Sequence, residues 1–283
     1  MVADDSADWK TTRRKKDSVK TCLKYHGGKA FLANRIVELM PPHTRYCEPY
    51  FGGGAVLFAR DGEGVAEFVN DLNRGLWNFW NVLRDEDMYR QFIRYIQACP
   101  FSQDEFGYSS AFPDGPREIV NAATFFIRNR QSRQGLGKSF ATPTSRLRRG
   151  MNENVSAWLT AVDGLPEFHA RLRRVEIRNQ DAVKFIAELD SQDTCWFLDP
   201  PYVHETRTVT DSYEHEMTAE QHQTLLDRLG TIKGKFILSG YPSEMYAAAE
   251  AKYGWRHIDV HIDNKASSAK TKEVKIERLW MNY

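Results

Sequence analysis

Hydrophobic positions follow two alternating rhythms along most of the chain. Phe31, Ile36, Val37, Leu39 and Met40 recur at helical spacing between Ala30 and Met40, and Pro41 and Pro42 end the run. Arg45 to Cys47 then reads as a short strand leading into Gly52, Gly53 and Gly54, after which Ala55 to Ala59 starts a helix. Val65 to Val69 alternates as a second strand, and Leu72 to Leu83 resumes a helix rich in tryptophan. Strand, glycine turn, helix, strand is the opening of a parallel, doubly wound sheet. The rhythm breaks between about Arg84 and His169, where helices, a Pro113 to Pro116 interruption and a basic segment replace it. It returns with strands at Val175 to Arg178, Thr194 to Leu198, Lys235 to Ser239, His257 to His261 and Val274 to Trp280. The pattern predicts an α/β domain made of residues 20–83 and 170–283, with a mainly helical insertion over 84–169. Residues 1–19, with the run Arg13 to Lys16, are expected to form a flexible basic tail.

A formal net charge of +1 over 283 residues hides a segregation of sign. Between Arg117 and Gly150 stand Arg117, Arg128, Arg130, Arg133, Lys138, Arg146, Arg148 and Arg149 against the single acid Glu118. From Gln180 to Gly230 the balance reverses, with acids far outnumbering bases. A nearly neutral chain can therefore present one strongly basic face suited to phosphates. Cys22, Cys47, Cys99 and Cys195 are scattered without a CxxC pair, so they are read as reduced thiols, and no metal site is expected. No apolar stretch is long enough to span a bilayer and the first twenty residues are charged, so a cytoplasmic protein without membrane contacts is expected.

Chemistry concentrates in three short segments. The apolar run from Cys195 ends in Asp199, Pro200, Pro201 and Tyr202. In a doubly wound sheet ligands sit at the carboxyl ends of the strands, so an acid there faces the site. Two prolines fix the backbone and remove two amide donors, so Asp199 and the Pro200 carbonyl can both accept from an amino group, with the Tyr202 ring available to stack on a planar base. The second segment, Glu48, Pro49, Tyr50, Phe51, Gly52, Gly53, Gly54, allows a ligand close to backbone amides at a helix start. Leu57 occupies the third glycine position of a dinucleotide fingerprint, which argues against NAD, while Asp71 at the end of the next strand suits ribose hydroxyls. The third is Lys24, Tyr25, His26, Gly27, Gly28, Lys29, where a cation near a helix start calls for a ligand carboxylate such as that of S-adenosylmethionine.

The order KYHGGK, EPYFGGG, VND, a basic insertion and LDPPY resembles the Dam-type, alpha-class family of DNA adenine-N6 methyltransferases, over nearly the whole chain after the tail. The resemblance implies a Rossmann-like methyltransferase sheet with helices on both faces and an inserted target-recognition subdomain. It implies S-adenosyl-L-methionine as cofactor, held by Tyr25, Lys29, Asp71 and Asp199 with Glu48 and the Gly52 to Gly54 turn beside the methionine part. Catalysis would fall to Asp199, Pro200 and Tyr202, acting on an adenine flipped out of double-stranded DNA. Tyr25 stands where the family commonly has tryptophan, and the insertion lacks the arginine-tyrosine-asparagine stretch of GATC readers, so the target sequence stays open.

Arg128, Arg130, Arg133, Lys138, Arg148 and Arg149 are the expected DNA contacts. A cognate restriction endonuclease is a candidate partner, and the oligomeric state is left open. Amino methylation of cytosine, of adenine in RNA or of a protein glutamine is the alternative chemistry. A DNA-binding module without catalysis is the alternative of a different class.

Overall fold

The protein is described here by a computed structural model covering residues 9–10, 19–25, 28–110, 119–142, 144–202, 217–263 and 274–283. Most of the tail and the Pro113 to Pro116 interruption lie outside the described residues. In chain order the elements begin with β1 (Trp9–Lys10), α1 (Ala33–Leu39), β2 (Arg45–Glu48), α2 (Ala55–Ala59), β3 (Ala66–Asn70) and α3 (Arg74–Arg84). The insertion supplies α4 (Glu86–Ala98), α5 (Gln103–Ser110), α6 (Ile119–Gln131), β4 (Leu147–Arg148), β5 (Met151–Asn152) and α7 (Glu153–Leu172). There follow β6 (Val175–Arg178), α8 (Ala182–Leu189), β7 (Thr194–Leu198), α9 (Ala219–Leu229), β8 (Lys235–Gly240), α10 (Glu244–Tyr253), β9 (Arg256–Asp263) and β10 (Val274–Met281).

Among the described residues the main sheet has the order β1-β9-β10-β8-β7-β2-β3-β6. Strands β8, β7, β2, β3 and β6 run parallel, while β10 is antiparallel to both β8 and β9. The chain moves outward from β2 through β3 to β6, then returns to lay β7 on the other side of β2. Order reverses between β2 and β7, which makes the gap beyond their carboxyl ends the topological switch point where such sheets bind ligands.

The central strands are apolar runs because both faces are covered. In β7, Cys195 and Phe197 join one core with Tyr46, Val69 and Ile237, while Trp196 and Leu198 join the opposite core with Cys47, Phe236 and Leu238. The first core continues into the insertion: Phe79 and Trp80 of α3 pack in the same cluster as Phe92, Phe126, Trp158 and Leu165. Phe79 stacks on Phe126 at 5.7 Å. The insertion is thus rooted in the α/β core. Its last helix, α7, runs past the expected boundary at His169 to Leu172, carrying His169 and Arg171 into the sheet domain.

The feature of the insertion not anticipated from the sequence is the hairpin β4–β5, whose turn places Arg149 and Gly150 at φ +57° and +75°. Both central residues in the left-handed region is the arrangement that matches the twist of a two-residue hairpin.

Candidate active site

A cavity at the switch point is lined by the ends of β2, β3 and β7 and by the segment before α1, including Tyr25, Gly28, Lys29, Glu48, Phe51, Gly52, Gly53, Gly54, Asp71, Asp199 and Pro201. The three segments singled out in the sequence therefore line one cavity. Phe51 N–H bonds to Asn70 O at 2.9 Å, bringing the turn after β2 against the end of β3. The buried Asn70 amide completes this stitch. It donates to the carbonyls of Pro49 and Gln180, and its oxygen accepts from Gln180 N–H, all at 3.0 Å. Asn70 was not among the expected site residues.

The glycine turn is shaped by close approaches of the protein itself. A Cβ on Gly52 or Gly53 would lie 2.7 or 2.8 Å from the Tyr25 side chain, and one on Gly54, at φ +67°, would strike Phe51 and Phe58. Gly52 N–H donates to Asp71 Oδ2 at 2.8 Å and Gly54 N–H to Phe51 O at 2.9 Å. Two of the three amides imagined as facing a ligand are thereby used internally, and the helix behind them, α2, is only five residues long. Asp71 also accepts from Asn73 N–H through Oδ1 at 3.0 Å. A carboxylate offers about four lone-pair sites, more than these two amide bonds use.

Lys29 departs from the sequence argument in an instructive way. It lies before α1, and its counter-charge comes from the protein. The buried ammonium donates to Asp199 Oδ2 at 2.7 Å and to the Tyr202 hydroxyl at 2.7 Å, and sits 3.3 Å from Glu277 Oε1. Tyr202 in turn donates to Glu277 Oε1 at 3.1 Å, and the Ser239 hydroxyl donates to the same oxygen at 2.5 Å. Burial works against the ammonium, but Asp199 and Glu277 overcome it and hold the Lys29 pKa well above its ordinary value. Burial pushes Asp199 up to about 6 against the opposing pull of Lys29, with Glu277 adding to the rise. The ring of Tyr202 meets Tyr241 edge-on at 4.6 Å. Its hydroxyl is committed to the lysine network, and burial raises its pKa well above that of a free phenol.

Glu48 shows the opposite environment. It is 1% exposed, accepts from Tyr46 OH at 2.8 Å, and among the described residues has no cation within ion-pair distance. Burial pushes its pKa up to about 8. A buried carboxyl on a cavity wall, influenced by Arg60 but with no cation in ion-pair contact among the described residues, fits a positively charged ligand, and S-adenosylmethionine carries both an ammonium and a sulfonium. The residues present fit that cofactor.

The six expected DNA contacts divide. Arg133, Lys138, Arg148 and Arg149 are exposed, the last two on the hairpin. Arg128 and Arg130 are half-buried, each with its Nε enclosed, and Arg130 donates to the Ala157 carbonyl at 3.0 Å. Burial lowers the Arg130 pKa. The turn of α6 that carries Arg130 faces α7, so this arginine packs rather than projects. The same end of α6 is clamped to the lysine segment. Asn129 Oδ1 accepts from Lys24 N–H at 2.8 Å while its Nδ2 donates to Lys24 O at 3.0 Å, and a Cβ on Gly135 would collide with Lys24 O.

Several known proteins resemble this chain in sequence. A DNA N-6-adenine-methyltransferase of Escherichia phage P1 is 26% identical over 74% of this chain and 28% of its own length. The type II methyltransferase M1.LlaDCHI of Lactococcus lactis subsp. cremoris is 25% identical over 76% of this chain and 77% of its own. The type II methyltransferase M.MjaIII of Methanocaldococcus jannaschii is 31% identical over 31% of this chain and 32% of its own. This chain thus matches less than a third of the length of the phage protein and about three quarters of the lactococcal one. Residues 25–268, which contain the glycine turn, Asp71, the insertion and the Asp199 motif, match the D12 class of N6 adenine-specific DNA methyltransferases, and the chain belongs to that family.

Proposed function

We propose that the protein transfers the methyl group of S-adenosylmethionine to the N6 amino group of an adenine turned out of duplex DNA. The observation that carries this reading is the Asp199 to Tyr202 turn at the switch point, with one oxygen of Asp199 held by Lys29 beside the cavity. When bound, S-adenosylmethionine supplies a sulfonium-activated methyl group. Glu48 faces its cationic end, Asp71 is placed for hydroxyls, and Tyr25 and Lys29 flank the turn. Asp199 Oδ1 and the Pro200 carbonyl accept the two amino hydrogens, which orients the nitrogen lone pair. Tyr202, backed by Tyr241, offers the aromatic surface for the displaced base, and such stacking offsets a cost of roughly a few kcal/mol for removing the base from the helix.

Incubating the protein with labelled S-adenosylmethionine and unmethylated DNA, then digesting to nucleosides, tests the substrate. Label in 6-methyladenine is expected. Label in cytosine, or only in RNA or protein, overturns the proposed substrate. No helix among the described residues is long and apolar enough to cross a membrane. Two relatives are named type II methyltransferases, which supports a restriction endonuclease as the partner to seek.

Arg133, Lys138, Arg148 and Arg149 form the proposed phosphate-contacting set, and the half-buried Arg128 and Arg130 stand outside it. Each phosphate neutralised contributes about 0.9 to the slope of log affinity against log salt. Replacing all four by alanine should flatten that slope by about three to four in filter-binding titrations. A slope changed by less than about one would place the DNA elsewhere.

A further inference from the structure

Glu277 sits in β10, the antiparallel strand that enters the sheet where the parallel strands leave it, and its neighbour Arg278 pairs with Gly240 at the end of β8. The residue is 3% exposed, an unusual place for an acid. One of its oxygens, Oε1, gathers three groups: the Ser239 hydroxyl at 2.5 Å, the Tyr202 hydroxyl at 3.1 Å and the Lys29 ammonium at 3.3 Å. Two of these touch the turn proposed to hold the target amine. The charges therefore alternate as Asp199, Lys29, Glu277, and the tyrosine hydroxyl lies between the last two.

We propose that Glu277 is a positioning residue for methyl transfer, which fixes Tyr202 and divides the charge of Lys29 so that Asp199 remains a strong acceptor for the amino group. This rests on the proposed adenine methylation. Without Glu277 the whole ammonium charge would fall on Asp199, making its carboxylate a weaker acceptor, and the tyrosine hydroxyl would lose the oxygen that receives its proton. In the reaction the amine nitrogen gains a bond to carbon, the carbon–sulfur bond breaks with its electron pair going to sulfur, and the amine loses one proton. In this reading that proton passes to Asp199. Among the described residues the charged and titratable groups facing Asp199 are Lys29, Glu277, Tyr202 and Tyr246, and of these Glu277 is the other carboxylate.

The test is Glu277→Gln, with methyl transfer measured against pH under single turnover. The wild-type rate should rise through the ionisation of Asp199. In the variant the rate should fall about tenfold to a hundredfold at pH 8, with S-adenosylmethionine and DNA affinities within about threefold, and the acid limb should move down by about one pH unit because a neighbouring negative charge is gone. A packing defect would lower the rate without moving the limb. An unmoved acid limb overturns the inference even if the rate falls. If Glu277→Gln does not fold, Ser239→Ala decides, since it removes only the hydroxyl that fixes the carboxylate. A severalfold loss of rate then supports the inference and a wild-type rate overturns it. Absence of 6-methyladenine with the wild-type protein would instead refute the proposed function, so the two failures are distinct.

Discussion

Asp199→Ala is expected to reduce methyl transfer to adenine by about a thousandfold or more while leaving DNA binding within about threefold. The asymmetry follows from the surroundings of the residue. Removing it takes away the acceptor for the amino group, but Lys29 keeps Glu277 at 3.3 Å and Tyr202 at 2.7 Å, so no buried charge is stranded and the fold should persist. The wild-type pH dependence belongs to the same prediction. With Asp199 pushed up to about 6 by burial, kcat/KM should rise as pH passes through about 6 and level off above it. Asp199→Asn keeps the shape and one acceptor oxygen but loses the charge, so it should be inactive without an acid limb near that pH. Single-turnover assays of labelled methyl incorporation, with gel-shift titrations alongside, measure both parts. An alanine variant retaining more than about a tenth of the rate would remove Asp199 from the chemistry.

How far the sequence discloses this site depends on the range over which each feature is determined. The strands are legible because residues such as Cys195 to Leu198 are buried on both faces and form apolar runs closed by proline. Asp199, Glu48 and Asp71 are legible because parallel topology sends strand ends to one edge of the sheet. What the sequence conceals is pairing between distant positions. Lys29 and Asp199 lie 170 residues apart, and no local spacing shows that the fold supplies Lys29 with two carboxylates of its own. Glu277 carried a signal, an acid on the same alternating face as Leu279 and Met281, but its partners become neighbours only when β10 inserts beside β8. Arg130 and Arg133 illustrate a local limit. They stand three residues apart, yet one turns toward Ala157 in α7 while the other follows the end of α6 into solvent. The hairpin escaped notice because its turn places an arginine where asparagine or glycine is usual, at φ +57°.

Lys29→Met should produce the opposite displacement of the pH profile from Glu277→Gln, and a larger loss. Methionine fills most of the lysine volume, so the change is chiefly electrical. With the ammonium removed, burial of Asp199 is no longer opposed, and Glu277 faces it without an intervening cation. Both effects raise the Asp199 pKa, so at pH 7 most molecules would carry a neutral acid that can no longer serve as the charged acceptor. Methyl transfer should fall by at least about a hundredfold at pH 7, and part of the loss should return as pH is raised toward about 9. Stability should move the other way. A carboxyl whose folded pKa lies above its unfolded value binds more protons in the folded state, so its contribution to stability declines as pH rises from the unfolded value, about 4, through the folded one. Relative to wild type, the melting temperature of Lys29→Met should therefore drop steadily between about pH 5 and 8, while its activity climbs over the upper part of that range. A general packing defect would lower activity and stability together, and a lysine that served only to hold the cofactor would lose affinity for S-adenosylmethionine without moving the acid limb. Opposed pH trends in rate and melting temperature are the signature of a cation whose task is to keep Asp199 ionised.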